Sequence, residues 1–333
     1  MRRNISGATL LAATLALFIS ATPSPAATEA ASAADTTALL SMTPEELFIR
    51  ASSAELQYAD VLEPARRILV RRSDESVPYL VTRLDTDEPR ERIALENLFV
   101  RIGAEAVPSL IEALGREARR EDTTRGARLA AYVLARIKDP TAVTPLVGLQ
   151  DHEGWKMRSS VADALGHLGG SASVDALVEL AGDPDDSVRK AAVASLDRIA
   201  REDPGLVRDG AQGTLLEALD DRFYGVRYAA SDALGRLGDA AVPHLENLVE
   251  TAGARTRQMA VRSLGLIGGR DAARVVATHL NDTDWAVRAQ AIESVMRAGT
   301  MSRSVQKKLR TLAESDEHPL VTARARAALA GQE

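Results

Sequence analysis

Residues 225–245 read GVRYAASDALGRLGDAAVPHL. Val226, Ala230, Ala233, Leu234 and Leu237 recur at helical spacing and form one apolar stripe. Gly238 ends the series, as a residue that tolerates the left-handed conformation closing a helix. A second stripe follows at Val242, Leu245, Leu248 and Val249, with Pro243 near its start, where a missing N–H leaves no bond unmade. The stretch therefore predicts two short helices and a tight turn, and it carries no obvious catalytic group.

Variants of this stretch recur along the chain. Aligned on the Gly that ends the first helix, an Arg returns at Arg92, Arg158, Arg189, Arg227, Arg257 and Arg288, with separations of 66, 31, 38, 30 and 31, the first spanning two units. The same alignment puts Ala127 in the third unit and Thr322 in the last. Pro78, Pro108, Pro145 and Pro243 mark starts of second helices. A two-helix unit of this length cannot enclose a core, so neighbouring units must bury each other's stripes. Asp183, Asp221 and Asp282 each precede an Arg (Arg189, Arg227, Arg288) by six residues, in the turn entering the first helix. Turn carboxylates and helix guanidinium groups so placed predict a ladder of charge-assisted hydrogen bonds along the stack. On this reading Arg227→Ala costs about 3–5 kcal/mol if it strands a buried Asp partner.

The segments DSVRKAAVASLDRIA, GVRYAASDALGRLGDAAVPHL and WAVRAQAIESVMRAG resemble HEAT repeats, in particular the short HEAT-like repeats of phycobilisome lyase subunits. The resemblance spans roughly residues 60–333 and implies an all-α fold, a right-handed α-solenoid of about eight helical hairpins. It is specific for fold and weak for function. Ankyrin and tetratricopeptide signatures do not recur.

Composition agrees with a packed helical chain. Of 333 residues 45% are hydrophobic and 26% charged, whereas 3% are aromatic, so the core is built from Ala, Leu, Val and Ile. The formal charge of -6 makes the chain a poor non-specific ligand for phosphate backbones. Arg116, Arg119, Arg120, Arg125 and Arg128 form a basic cluster, but Glu117, Glu121 and Asp122 interleave with it and no aromatic platform is nearby. No nucleic-acid partner is expected.

With no Cys there is no disulfide, thiolate metal site or thiol nucleophile. His152, His167, His244, His279 and His318 are scattered and never spaced as a metal-binding pair on one helix. The single His-Glu pair, His152–Glu153, contrasts with the several that hold two irons in HEAT-like deoxyhypusine hydroxylases. No catalytic, cofactor-binding or metal-binding residue is assigned, and no cofactor is expected.

Residues 1–26, MRRNISGATLLAATLALFISATPSPA, have a basic start, an apolar run and a small-residue stretch. They are expected to be a signal peptide, because the apolar run falls short of the ~20 residues of a spanning helix. No membrane span is expected after its cleavage, and the mature product is expected to be periplasmic or secreted. Residues 27–42, rich in Ala, Thr and Ser, are expected to be a flexible linker, and 43–333 the solenoid.

Two rows are candidates for binding another protein. Trp155, Tyr224 and Trp285 each stand three residues before their repeat's Arg and would line one edge, either as anchors or as staples between repeats. Glu112, Glu179, Glu217, Asn247, Thr278 and Arg310 align on second helices, which line the inner face of HEAT-type stacks, and shift from acidic to neutral or basic. The expected function is a non-enzymatic, exported protein-binding scaffold using that inner face. The alternatives are a lyase-like enzyme or enzyme subunit, by fold analogy, or a structural spacer in the cell envelope.

Overall fold

The structure, a computed structural model, describes residues 38–53, 55–120, 124–298 and 301–331. The expected signal peptide, the linker up to residue 37 and the acidic residues Glu121 and Asp122 lie outside these. The chain divides into two compact units between Arg72 and Ser73.

In the first unit, helix α1 (Pro44–Ser52) begins with a capping box in which the Thr43 hydroxyl accepts the Glu46 N–H and the Glu46 carboxylate accepts the Thr43 N–H. Helix α2 (Leu62–Arg71) packs on it, burying Leu47, Phe48 and Ala51 with Ala65, Ile68 and Leu69. Residues 38–40 are already helical and Leu39 is 2% exposed, so the last part of the expected linker is folded. Arg72 fastens it by donating to the Met42 carbonyl at 2.9 Å.

The second unit is a stack of helical hairpins. It comprises α3 (Ser73–Leu80), α4 (Pro89–Ile102), α5 (Val107–Ala118), α6 (Arg125–Ile137), α7 (Val143–Val147), α8 (Trp155–Leu168), α9 (Ser171–Leu180), α10 (Asp186–Glu202), α11 (Pro204–Ala218), α12 (Tyr224–Leu237), α13 (Val242–Thr251), α14 (Ala254–Ile267), α15 (Gly269–Thr278), α16 (Trp285–Ala298), α17 (Arg303–Ser315) and α18 (Pro319–Ala330). The even-numbered helices from α4 to α16 are the first members of seven hairpins, and the odd-numbered α5 to α17 are the second. The described residues of this unit contain no strand.

The punctuation read from sequence mostly works as expected. Gly103, Gly169, Gly238 and Gly268 end first helices at φ between 65° and 74°, a region costly for residues with a Cβ. Lys138 takes that role after α6 at φ 61°. Pro108 and Pro243 occupy first turns of second helices, but Pro78 lies inside α3, because that helix begins five residues earlier.

Successive first helices pack directly on one another, and small residues set how close they come. A Cβ added at Gly166 would lie 2.4 Å from the Ser195 side chain, and one at Gly265 would lie 2.3 Å from that of Ser294. Both Ser side chains are buried, so the spacing is fixed by contact. This close row brings the turn entering one first helix against the Arg at the fourth position of the preceding one.

Candidate functional site

The Arg ladder forms at four rungs, each running from an Arg to the turn of the following repeat. Arg158 donates through Nε to Asp183 at 2.6 Å and through Nη2 at 2.9 Å. Arg189 binds Asp221 at 2.7 and 3.0 Å, Arg257 binds Asp282 at 3.0 and 2.9 Å, and Arg288 binds Asp316 at 2.8 and 3.0 Å. The remaining Nη1 donates to carbonyls of the Arg's own turn, as in Arg189 to Asp183 at 2.9 Å and Pro184 at 3.2 Å. Each Asp also accepts the N–H two residues on: Asp185, Phe223, Asp284 and His318 are the donors. One carboxylate thus satisfies a guanidinium fork and a helix N-terminus together.

The electrostatics match this geometry. Burial alone would raise the carboxyl pKa values of Asp183, Asp221, Asp282 and Asp316, but the Arg and backbone hydrogen bonds and the Arg charge outweigh it and hold all four low. The carboxylate hydrogen bonds raise Arg158, Arg189, Arg257 and Arg288. The Arg189–Asp221 side chains are 9% and 12% exposed, so this is a buried pair.

The structure corrects three sequence expectations here and leaves the rung of Arg92 outside what it describes. Asp316 completes a rung although its own repeat carries Thr322 in place of Arg. The third unit does have its Arg: Arg128, not Ala127, is fourth in α6, and alignment from the helix end misplaced it because α6 is one residue short. Arg92 is exposed, and the turn residue that would face it lies outside the described residues. Arg227 has no Asp partner, because Asp221 is held by Arg189.

Two rungs are therefore incomplete. His152 stands at the Asp place facing Arg128; its Nδ1 accepts the Gly154 N–H at 2.9 Å while Nε2 lies 3.0 Å from the Ala118 carbonyl. Arg128 Nε is left buried without an acceptor. Arg227 donates through Nη1 to Asp221 and Arg222 carbonyls at 2.7 and 3.1 Å, but its Nε too is buried and unpartnered. Unlike the rung arginines, Arg227 has a lowered pKa, first through burial and then through the nearby charge of Arg255.

Trp155, Tyr224 and Trp285 are the first residues of α8, α12 and α16 and lie along the ladder edge. Trp285 stacks on His318 of the next repeat at 3.9 Å between ring centroids, with planes 2° apart, and so acts as a staple. Tyr224 is 56% exposed and sits over Arg227 at 5.4 Å. Phe223 and Tyr228 beside it are also exposed.

The second-helix row is placed as expected on α5, α9, α11, α13, α15 and α17, and Glu112, Glu179, Glu217, Asn247, Thr278 and Arg310 are all exposed. Thr278 bonds back to the Val275 carbonyl. In the basic cluster, Arg116 and Arg120 pair with Glu117, and Arg120 also approaches Asp85 at 3.5 Å.

Known proteins agree with the architecture. No curated protein sequence matches the chain. Kap95p, solved with RanGDP, aligns with a TM-score of 0.54 at 15% identity, over 93% of this chain and 46% of its own. Importin beta aligns with a TM-score of 0.55 at 14% identity, over 87% and 45%. The chain thus spans about half the length of these importin-type solenoids, and the likeness is one of fold. The CpcE–CpcF phycocyanin lyase complex from Nostoc sp. PCC7120 reaches a TM-score of only 0.38 at 19% identity, over 74% and 94%. The profile of the PBS lyase HEAT-like repeat matches residues 226–251, around the stretch that decides the fold. The HEAT repeat profile matches residues 107–197 and 252–330, more than half of the sequence, and the chain belongs to the HEAT repeat family.

Proposed function

We propose that the protein is an exported, non-enzymatic scaffold that binds another protein along its second-helix row. The observation carrying this reading is the contrast between its two sets of carboxylates. Asp183, Asp221, Asp282 and Asp316 are consumed by the ladder, whereas Glu112, Glu179 and Glu217 are exposed on three separate helices with no ion pair among the described residues. Glu179 and Glu217 lie on successive second helices and Glu112 two repeats before them, so a basic segment running along the row would meet several weak contacts. Export rests on residues 1–26, whose pattern is that of a secretory signal.

The test is capture of a crosslinked partner from cell-envelope extract by the chain and by the triple variant Glu112→Lys, Glu179→Lys, Glu217→Lys. The partner is expected to be lost with the melting temperature unchanged, and to be released by salt on the scale at which exposed charges are screened. Equal capture by both forms removes the acidic row from the function. Fractionation and N-terminal sequencing of the native chain test export: a protein retained inside the cell with Met1 intact overturns it.

A further inference from the structure

The incomplete rung at Arg227 has a specific cause. Arg227 and Arg257 are 30 residues apart, against 31 for the pairs Arg158–Arg189 and Arg257–Arg288. Only Ala252 and Gly253 separate α13 from α14, whereas Asp316, Glu317 and His318 separate α17 from α18. The turn is shorter than those of the complete rungs, where 181–185 separate α9 from α10 and 279–284 separate α15 from α16, and the place of the Asp, three residues before the next first helix, falls on Thr251. Thr251 cannot substitute, because it is still part of α13 and its hydroxyl donates to the Asn247 carbonyl at 3.0 Å.

The donors that would have served that Asp remain. Arg227 Nε is buried without an acceptor, and Nη2 makes no hydrogen bond among the described residues. The N–H of Gly253, which caps α14 as Phe223 caps α12, also has no acceptor among the described residues, and no side chain of these caps the helix. In each complete rung these same donors converge on one carboxylate. Neighbouring acids are already engaged: Asp221 by Arg189, and Asp220 by the Thr256 hydroxyl at 2.7 Å and Arg255 at 3.1 Å. A Cβ on Gly253 would meet no atom within 4 Å, so the capping residue itself is not crowded.

We propose that this rung takes a carboxylate from outside the chain, that of an Asp or Glu side chain on a bound polypeptide. Two oxygens match the fork of Nε and Nη2, and one of them also accepts the Gly253 N–H, reproducing the internal rungs. The exposed ring of Tyr224, which lies over Arg227, flanks the position and offers contact to the rest of a peptide, which a free small acid would not use. The His152 rung does not share this property, since His152 already accepts the equivalent N–H. The inference deepens the partner-binding reading and places a second contact on the ladder edge.

The experiment is a nitrogen-resolved NMR titration of the whole chain, following the Arg227 Nε–H and the Gly253 amide. The probes are sodium acetate, a blocked eight-residue peptide alternating Glu with Ser, and the same peptide with Gln for Glu. Both resonances are expected to move together with acetate and with the Glu peptide, the peptide binding roughly tenfold more tightly through its added contacts. The Gln peptide should leave both unmoved. Inserting an Asp between Thr251 and Ala252 should complete the rung internally and abolish the response in a folded protein; Arg227→Lys, which keeps the charge but loses the fork, should weaken it at least tenfold. Unmoved resonances with every probe overturn the site, and equal affinity for acetate and peptide overturns its assignment to a polypeptide. These readings are independent of partner capture through the Glu row, so either conclusion can fail alone.

Discussion

Arg189 and Arg227 occupy the same position of successive first helices, α10 and α12, and donate to the same kind of turn carbonyls. Arg189 is completed by Asp221 and its pKa is raised; Arg227 faces a shortened turn and its pKa is lowered. The pair shows that in this stack a residue's role is set by the repeat after it. An Arg is a structural rung only if the next turn supplies a carboxylate.

The largest expected effect follows from that dependence. Arg189→Ala leaves Asp221 buried with its charge uncompensated and should destabilise by about 3–5 kcal/mol in chemical denaturation. Arg227→Ala strands no carboxylate and relieves an unpaired buried N–H, so its loss should be about 1 kcal/mol or less. Equal losses would show that the two arginines are stabilised alike and would dissolve the distinction.

Acid should separate the rungs next. The four ladder Asp carboxyls lie below their ordinary pKa, because the Arg hydrogen bonds and charges overcome the effect of burial. The folded state therefore binds those protons less readily than the unfolded state. The stabilisation is fully present above the unfolded carboxyl pKa of about 4 and is lost as pH falls through the lower folded values. Denaturation midpoints between pH 7 and pH 2 should fall steeply in that window. Arg189→Ala, already lacking one rung, should show a shallower fall; Arg227→Ala should follow the parent curve.

Much of this architecture is legible in the sequence because the apolar stripes, closing glycines and recurring Arg all repeat, so each copy checks the others. The pairing was harder to read. An Asp six residues before an Arg is local in sequence, but that Asp serves the preceding repeat's Arg 25–32 residues away. Asp316 therefore escaped notice once its own Arg had become Thr322, and Arg128 escaped because the shorter α6 shifts any alignment made from the helix end. The open rung did leave a signal, the spacing of 30 with no acid at 251–253. It means something only once the direction of the ladder is known. The second-helix row could be placed from register alone, since exposure there requires no partner.

Filling the gap is the next test. An Asp inserted between Thr251 and Ala252 should restore the spacing of 31 and stabilise by about 1 kcal/mol, the scale of one charge-assisted hydrogen bond net of desolvation. It should also steepen the acid transition, since it adds one more depressed carboxyl. A destabilised variant would mean that the shortened turn is required for packing α13 against α14, and that its missing Asp is incidental.

The smallest effect on stability is expected at the aromatic ring of the open rung, set against the ring of a closed one. Trp285 stands at the rung formed by Arg288 and Asp316, and its ring is covered by His318, the residue whose N–H that Asp accepts. Removing it exposes the His ring and loses stacking across a repeat boundary, so Trp285→Ala should cost roughly 1–2 kcal/mol. Tyr224 stands at the open rung and is exposed, with ring contacts to Arg227 and to Tyr228 at 5.7 Å between centroids. An exposed cation–π contact contributes about 0.5–1 kcal/mol, so Tyr224→Ala should barely change the melting temperature. If the open rung receives a peptide, the ring left uncovered is the one available to it, and Tyr224→Ala should lower peptide affinity where Trp285→Ala does not. A Tyr224 variant that melts early and binds normally would assign both rings to the fold, and the open edge would then be a fault in the ladder with no ligand of its own.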